Sequence, residues 1–177
     1  MSIDAPATLA PALRTLYLVR FGFAVVWAVL LFLTATEIGA VSGTLLVLYP
    51  LFDVAAIVVD SRTAKTGKVA LYANIAVSTL AAAGLAFAVT SGIPAVLRVW
   101  GVWAVVSGVA QLVVALVRRS YGGQWPMILS GGISTLAGTS FFLQAGGADA
   151  NLRNLAGYAA IGGVFFLVSA LRLRRAV

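Results

Sequence analysis

The sequence contains neither cysteine nor histidine. Disulfides and thiolate or imidazole metal sites are thereby excluded, and the commonest general base near neutral pH is missing. Charge is also scarce: 10% of the 177 residues are Asp, Glu, Lys or Arg, where a soluble domain carries about a quarter. Acids are the scarcest, five against twelve bases, so a site that splits acid and base roles between two carboxylates has little to draw on. An enzyme is not expected, and no catalytic residue, cofactor or metal is predicted.

Hydrophobic residues fill that space. They make up 62% of the chain, and its mean hydropathy is +1.05. Apolar runs of about 20 residues recur, long enough for helices to cross roughly 30 Å of hydrocarbon, without the alternation of a barrel strand. The expected fold is therefore an all-α integral membrane protein. Six spans are predicted at about 15–34, 38–59, 69–90, 95–117, 124–145 and 152–172. Residues 1–13 read as a short N-terminal tail and 14–177 as a single six-helix transmembrane domain. No basic segment precedes the first apolar run, so that run reads as a retained helix and not a cleaved signal.

The net charge of +7 does not point to nucleic acid, because the bases sit at the ends of apolar spans and not along one soluble face. Arg14, Arg62, Lys65, Lys68, Arg118, Arg119, Arg172, Arg174 and Arg175 fall on one side of the predicted topology, against Arg98 and Arg153 on the other. The positive-inside rule then places both termini in the cytoplasm. The expected partner is the lipid bilayer, with anionic headgroups meeting the basic turns at about 1 kcal/mol per residue.

The chain also repeats itself. VSTLAA at Val77 to Ala82 recurs as ISTLAG at Ile133 to Gly138, and Arg98-Val99-Trp100 opens the fourth span as Arg153-Asn154-Leu155 opens the sixth, with Gly108 and Gly163 in register. The spans thus pair into three helical-hairpin repeats, at about 14–60, 68–119 and 124–175.

With its glycine steps (Gly131-Gly132, Gly138, Gly157, Gly162-Gly163), an arginine opening an even span and basic ends such as Arg118-Arg119 and Arg172 to Arg175, the chain resembles the HdeD-like acid-resistance membrane proteins, a bacterial family of short membrane repeats. The resemblance covers the third to sixth spans. It implies an inner-membrane protein linked to acid or envelope stress, without enzymatic activity or cofactor. The first two spans depart from the pattern, with Arg20 inside one and Pro50 and Asp53 inside the other.

Those departures define the candidate site. Aligning the repeats places Arg20, Asn74 and Ser130 at one position of the odd spans, and Asp53, Gln111 and Phe166 at one of the even spans. Each lies six or seven residues inside the basic end, roughly 10 Å deep at 1.5 Å per residue. An ionised side chain in hydrocarbon persists only if it is paired or faces a wet cavity. We therefore expect an Arg20–Asp53 ion pair, extended by Asn74, Gln111 and Ser130 into a polar layer that holds a small ligand, relays protons or senses acidity. Interhelical hydrogen bonding alone is the plainer account of the same residues. Pro50 withholds a donor from the Leu46 carbonyl one turn from Asp53 and favours a kink.

Gly39, Gly43, Gly108, Gly132, Gly138 and Gly163 are expected to pack helices closely. Trp100 and Trp125 read as interfacial, Trp27 and Trp103 as packing. The stretch Asp60 to Lys68 reads as a solvated turn and lacks phosphate-loop spacing. Two alternatives to a passive stress protein stand beside it: a small transporter or channel subunit, forming its path as a homo-oligomer, and an assembly partner of another membrane protein.

Overall fold

The computed structural model describes residues 9–121, 124–148 and 150–173. The expectations for residues 1–8, Gly122, Gly123, Asp149, Arg174 and Arg175 lie outside it. The described residues form six α-helices, one 3-10 turn (Arg119–Tyr121) and no strand: α1 (Leu9–Thr34), α2 (Ala40–Thr63), α3 (Lys68–Ala88), α4 (Ile93–Val117), α5 (Trp125–Gln144) and α6 (Arg153–Arg172). All six are long and apolar enough to cross a membrane, and the fold is that of an all-α integral membrane protein.

Two boundaries differ from those expected of the sequence. The first helix starts at Leu9, inside the expected tail, because Leu13 is buried with Tyr17, Met127 and Phe166. Pro11 falls in its first turn, where the missing N–H has no helical acceptor to lose. The second helix runs through Asp60 to Thr63, so half of the expected turn is helical. Gly67, at φ 74°, supplies the left-handed residue from which α3 starts.

The helices form a closed ring. Each packs on its neighbour in chain order, and α6 returns to α1. The closest pairs are α4 with α5, then α6 with α1, then α2 with α3, so the tightest contacts join one hairpin to the next and not the two arms of a hairpin.

Small residues account for that order. A Cβ on Gly101 would lie 2.6 Å from the Gly138 carbonyl oxygen, and one on Gly108 would lie 2.8 Å from that of Gly131. The α4 and α5 backbones are therefore in direct contact. Gly163 repeats the arrangement against α1, where an added Cβ would meet that of Ala24 at 3.2 Å. The alignment that superposes Gly108 on Gly163 puts Pro50 at the same position of α2, and the α2–α3 contact is the loosest of the three.

Gly108, Gly138 and Gly163 thus pack as expected, and three other glycines do not. A Cβ added to Gly39 or Gly132 would have nothing within 4 Å, and one on Gly43 would meet only Val89 and Ile38 at ordinary distances of 3.9 Å or more. Gly39 caps α2 instead of lying in its packed length, and Gly132 sits one residue off the face that Gly131 presents to α4.

The interior is uneven along the ring axis. The half away from the basic turns is filled by one large apolar cluster that includes Leu31, Leu46, Leu85, Leu97 and Leu155. The half toward the basic turns has two small clusters and two cavities.

Candidate functional site: a polar interior

The deeper cavity has a volume of about 60 Å³ and is lined by Arg20, Asp53, Asn74, Gln111, Ser130 and Phe166, along with further residues. These are the six positions that the repeat alignment makes equivalent. The ring explains why they converge. Six helices, each with its matched residue at one depth on its inward face, place all six around the axis.

Asp53 is 4% exposed, and both of its oxygens are occupied. Arg20 Nη2 donates to Oδ1 at 2.5 Å, and the Ser78 hydroxyl donates to Oδ2 at 2.8 Å. The expected ion pair is present. Behind Ser78, the Trp103 indole N–H donates to its Oγ at 2.9 Å, so a side chain expected only to pack belongs to the polar network. The guanidinium of Arg20 also lies 4.3 Å from the centre of the Phe166 ring, which gives the one apolar member of the layer a cation–π contact.

The rest of the layer is joined to the backbone or left open. Gln111 donates to the Met127 carbonyl at 3.1 Å, which ties α4 to α5. The Asn74 Oδ1 acceptor and the Ser107 hydroxyl are buried without a partner among the described residues. Ser134, the counterpart of Ser78, accepts from the Tyr158 hydroxyl at 2.8 Å, and Tyr158 stands where the alignment puts Trp103. The second and third repeats therefore make one and the same interhelical bond with different donors. Repeat equivalence is the signal that could have found Ser78, Trp103, Ser134 and Tyr158, none of which polarity and depth alone bring forward.

Pro50 is fully buried, and α2 continues through it. Next to the Leu46 carbonyl that Pro50 leaves without its helical donor, the Leu45 carbonyl accepts a bond from the Trp27 indole at 2.6 Å. Trp27 is thereby anchored in an aromatic group. It stacks on Trp100 at 5.3 Å between ring centres and meets Tyr49 at 4.6 Å, and Trp103 meets Trp100 at 5.1 Å. Tyr49 and Trp103 form part of the deep cavity's lining. Trp100 is fully buried, contrary to its expected interfacial place, because its position faces the ring axis; Trp125 is 72% exposed, as an interfacial residue should be.

A second cavity of about 50 Å³ lies one layer nearer the basic turns, lined by Tyr17, Ile57, Asp60, Leu71, Gln124 and Met127 among others. Arg20, Asn74, Gln111 and Phe166 border both cavities. At its basic-turn end is a second ion pair: Arg118 Nη1 donates to both oxygens of Asp60, at 2.9 and 2.8 Å. The sequence places Asp60 in a solvated turn and Arg118 at the lipid headgroups. Both are instead buried, because α2 stays helical past Asp53 and a seven-residue step returns Asp60 to the same inward face.

The described residues hold no cluster of Asp or Glu able to bind a metal ion. No family model, no curated protein and no solved structure matches this chain.

Proposed function

We propose that the chain is a non-enzymatic bacterial inner-membrane protein that admits a proton or a small polar solute to the layer around Asp53. The resemblance to HdeD-like proteins gives its setting, tolerance of acid or envelope stress, and the positive-inside rule gives its orientation, with the basic turns and both termini cytoplasmic. The observation that carries this reading is the convergence of Arg20, Asp53, Asn74, Gln111 and Ser130 on one cavity. Hydrogen bonding between helices needs no space between the bonded groups. A buried acceptor such as Asn74 Oδ1, facing free volume without a partner, is what a site retains for a ligand.

A small transporter is the second reading. The adjoining cavity favours it, since four shared side chains separate two cavities, each with polar groups in its lining, stacked along the ring axis. Exposed Arg62, Lys65, Lys68, Arg119 and Arg172 remain available to anionic lipid, and Arg118 does not.

Gly162→Val tests the site without removing a polar group. Gly162 lines the deep cavity and has nothing within 4 Å of its Cβ position, so a valine in this wall has room for its methyls and leaves the Arg20–Asp53 pair in place. Folded Gly162→Val protein should protect cells against acid no better than an empty vector. Full protection by the filled variant would overturn the reading. Substrate-dependent flux in liposomes, abolished by the same substitution, would select the transporter.

A further inference from the structure

The two cavities and their end walls differ in chemistry. Beyond the deep cavity, toward the turns that carry Arg98 and Arg153, stand Trp27, Tyr49, Trp100 and Trp103, and behind them the large apolar cluster. Toward the basic turns each layer holds polar groups among the apolar ones: Arg20, Asn74 and Gln111 between the cavities, then Tyr17, Gln124 and the Arg118-bound Asp60 beside Ile57, Leu71 and Met127 around the shallower one. Water crossing the first wall would meet one group unpartnered among the described residues, the Trp100 indole N–H, and would leave its hydrogen bonds behind in the apolar cluster beyond it. Crossing the second, it would exchange partners at each step.

We propose that this interior is a blind inlet, open to water from the basic end only and ending at the aromatic wall. It deepens the functional reading above, on which it rests, by naming what enters and from where: water, and solutes close to water in size. The volumes set the size, since about 60 and 50 Å³ leave room for a few water molecules each and for no large solute. Unpartnered atoms set the polarity. Asn74 Oδ1 requires a donor and the Ser107 hydroxyl can give or accept a bond, and the charges of the deep lining cancel as the Arg20–Asp53 pair, so neither an anion nor a cation is favoured there by net charge. Asn74 borders both cavities, which makes it the relay between them. The inlet thus gives the Arg20–Asp53 pair contact with the solvent of one side of the membrane while the protein stays sealed against the other.

The absence of cysteine makes the test direct. Ser130→Cys and Ser107→Cys place a near-isosteric thiol in the lining of the deep cavity, and the silver ion, close to water in size, serves as probe in proteoliposomes of fixed orientation. Lys65→Cys and Ser91→Cys report the two aqueous sides, and Ala88→Cys lies beyond the aromatic wall. Silver applied at the basic end should block later maleimide labelling of the unfolded protein at 130 and 107, silver applied at the other end should block neither, and Ala88→Cys should stay labelled throughout. Two deep variants guard against one failing to fold. Entry from the other end, from both ends, or from neither while the side reporters react overturns the inlet. Silver entry from the basic end alone, with Gly162→Val still protecting cells, would sink the acid-tolerance reading and leave the inlet standing.

Discussion

Arg118 holds Asp60 with one nitrogen. Nη1 donates to both carboxylate oxygens, while Nη2 is buried without a partner among the described residues. The planar fork that distinguishes arginine from lysine is unused here. Arg118→Lys should therefore keep most of the stability, whereas Arg118→Leu, which strands a buried carboxylate, should cost about 3–5 kcal/mol in reversible unfolding. Arg119→Leu, on the exposed neighbour, should change it by less than about 0.5 kcal/mol. Equal losses at 118 and 119 would contradict the burial of the pair. The residues legible from sequence are those whose depth the repeats specify twice over, Arg20, Asp53, Asn74, Gln111 and Ser130. Asp60 and Arg118 are equally equivalent under that alignment. They escape notice because charges near a span end read as topology, and hydropathy does not distinguish a basic residue facing lipid headgroups from one turned into the bundle.

Each helix is legible as an element, since twenty apolar residues leave little choice of structure. Which face meets which neighbour is not. The glycines show why: Gly131 and Gly132 are adjacent in sequence, yet one touches the α4 backbone and the other touches nothing. A rotation of about 100° per residue separates them, and only the position of the partner says which matters. Gly101→Ala and Gly138→Ala should each lose about 1–3 kcal/mol by forcing α4 from α5. Gly132→Ala should be neutral or stabilising by up to about 1 kcal/mol, through helix propensity alone. Reversible unfolding in mixed micelles measures all three, and a Gly132→Ala loss equal to that of Gly138→Ala would refute the packing order.

For the whole molecule, the ring divides the aromatic side chains between axis and lipid. Trp27, Trp100 and Trp103 face inward, and Trp125 faces out. Brominated lipid should therefore quench the fluorescence of Trp125 and spare the rest, so that the residual emission of a Trp125→Phe protein stays nearly insensitive to bromination. Strong quenching of that variant would place the aromatic wall at the periphery. The sequence shows three repeats but not their closure, because periodicity describes a helix and its own turns, whereas ring order depends on contacts between residues more than a hundred positions apart, such as Gly163 with Ala24.

That closure bears on how the protein is made. A membrane chain is delivered from its N-terminus, so α1 enters first, while the partner against which it packs most closely, α6, enters last. Until then the face of α1 that carries Phe21 and Ala24 lacks the α6 backbone it packs on. The charge on the same helix is treated differently: Arg20 finds Asp53 on the very next helix, so the first hairpin can neutralise itself in hydrocarbon before any other repeat exists. The two departures from the repeat pattern, one of each sign, thus lie in the only pair of neighbouring helices that must remain in the bilayer with most of the ring still unmade.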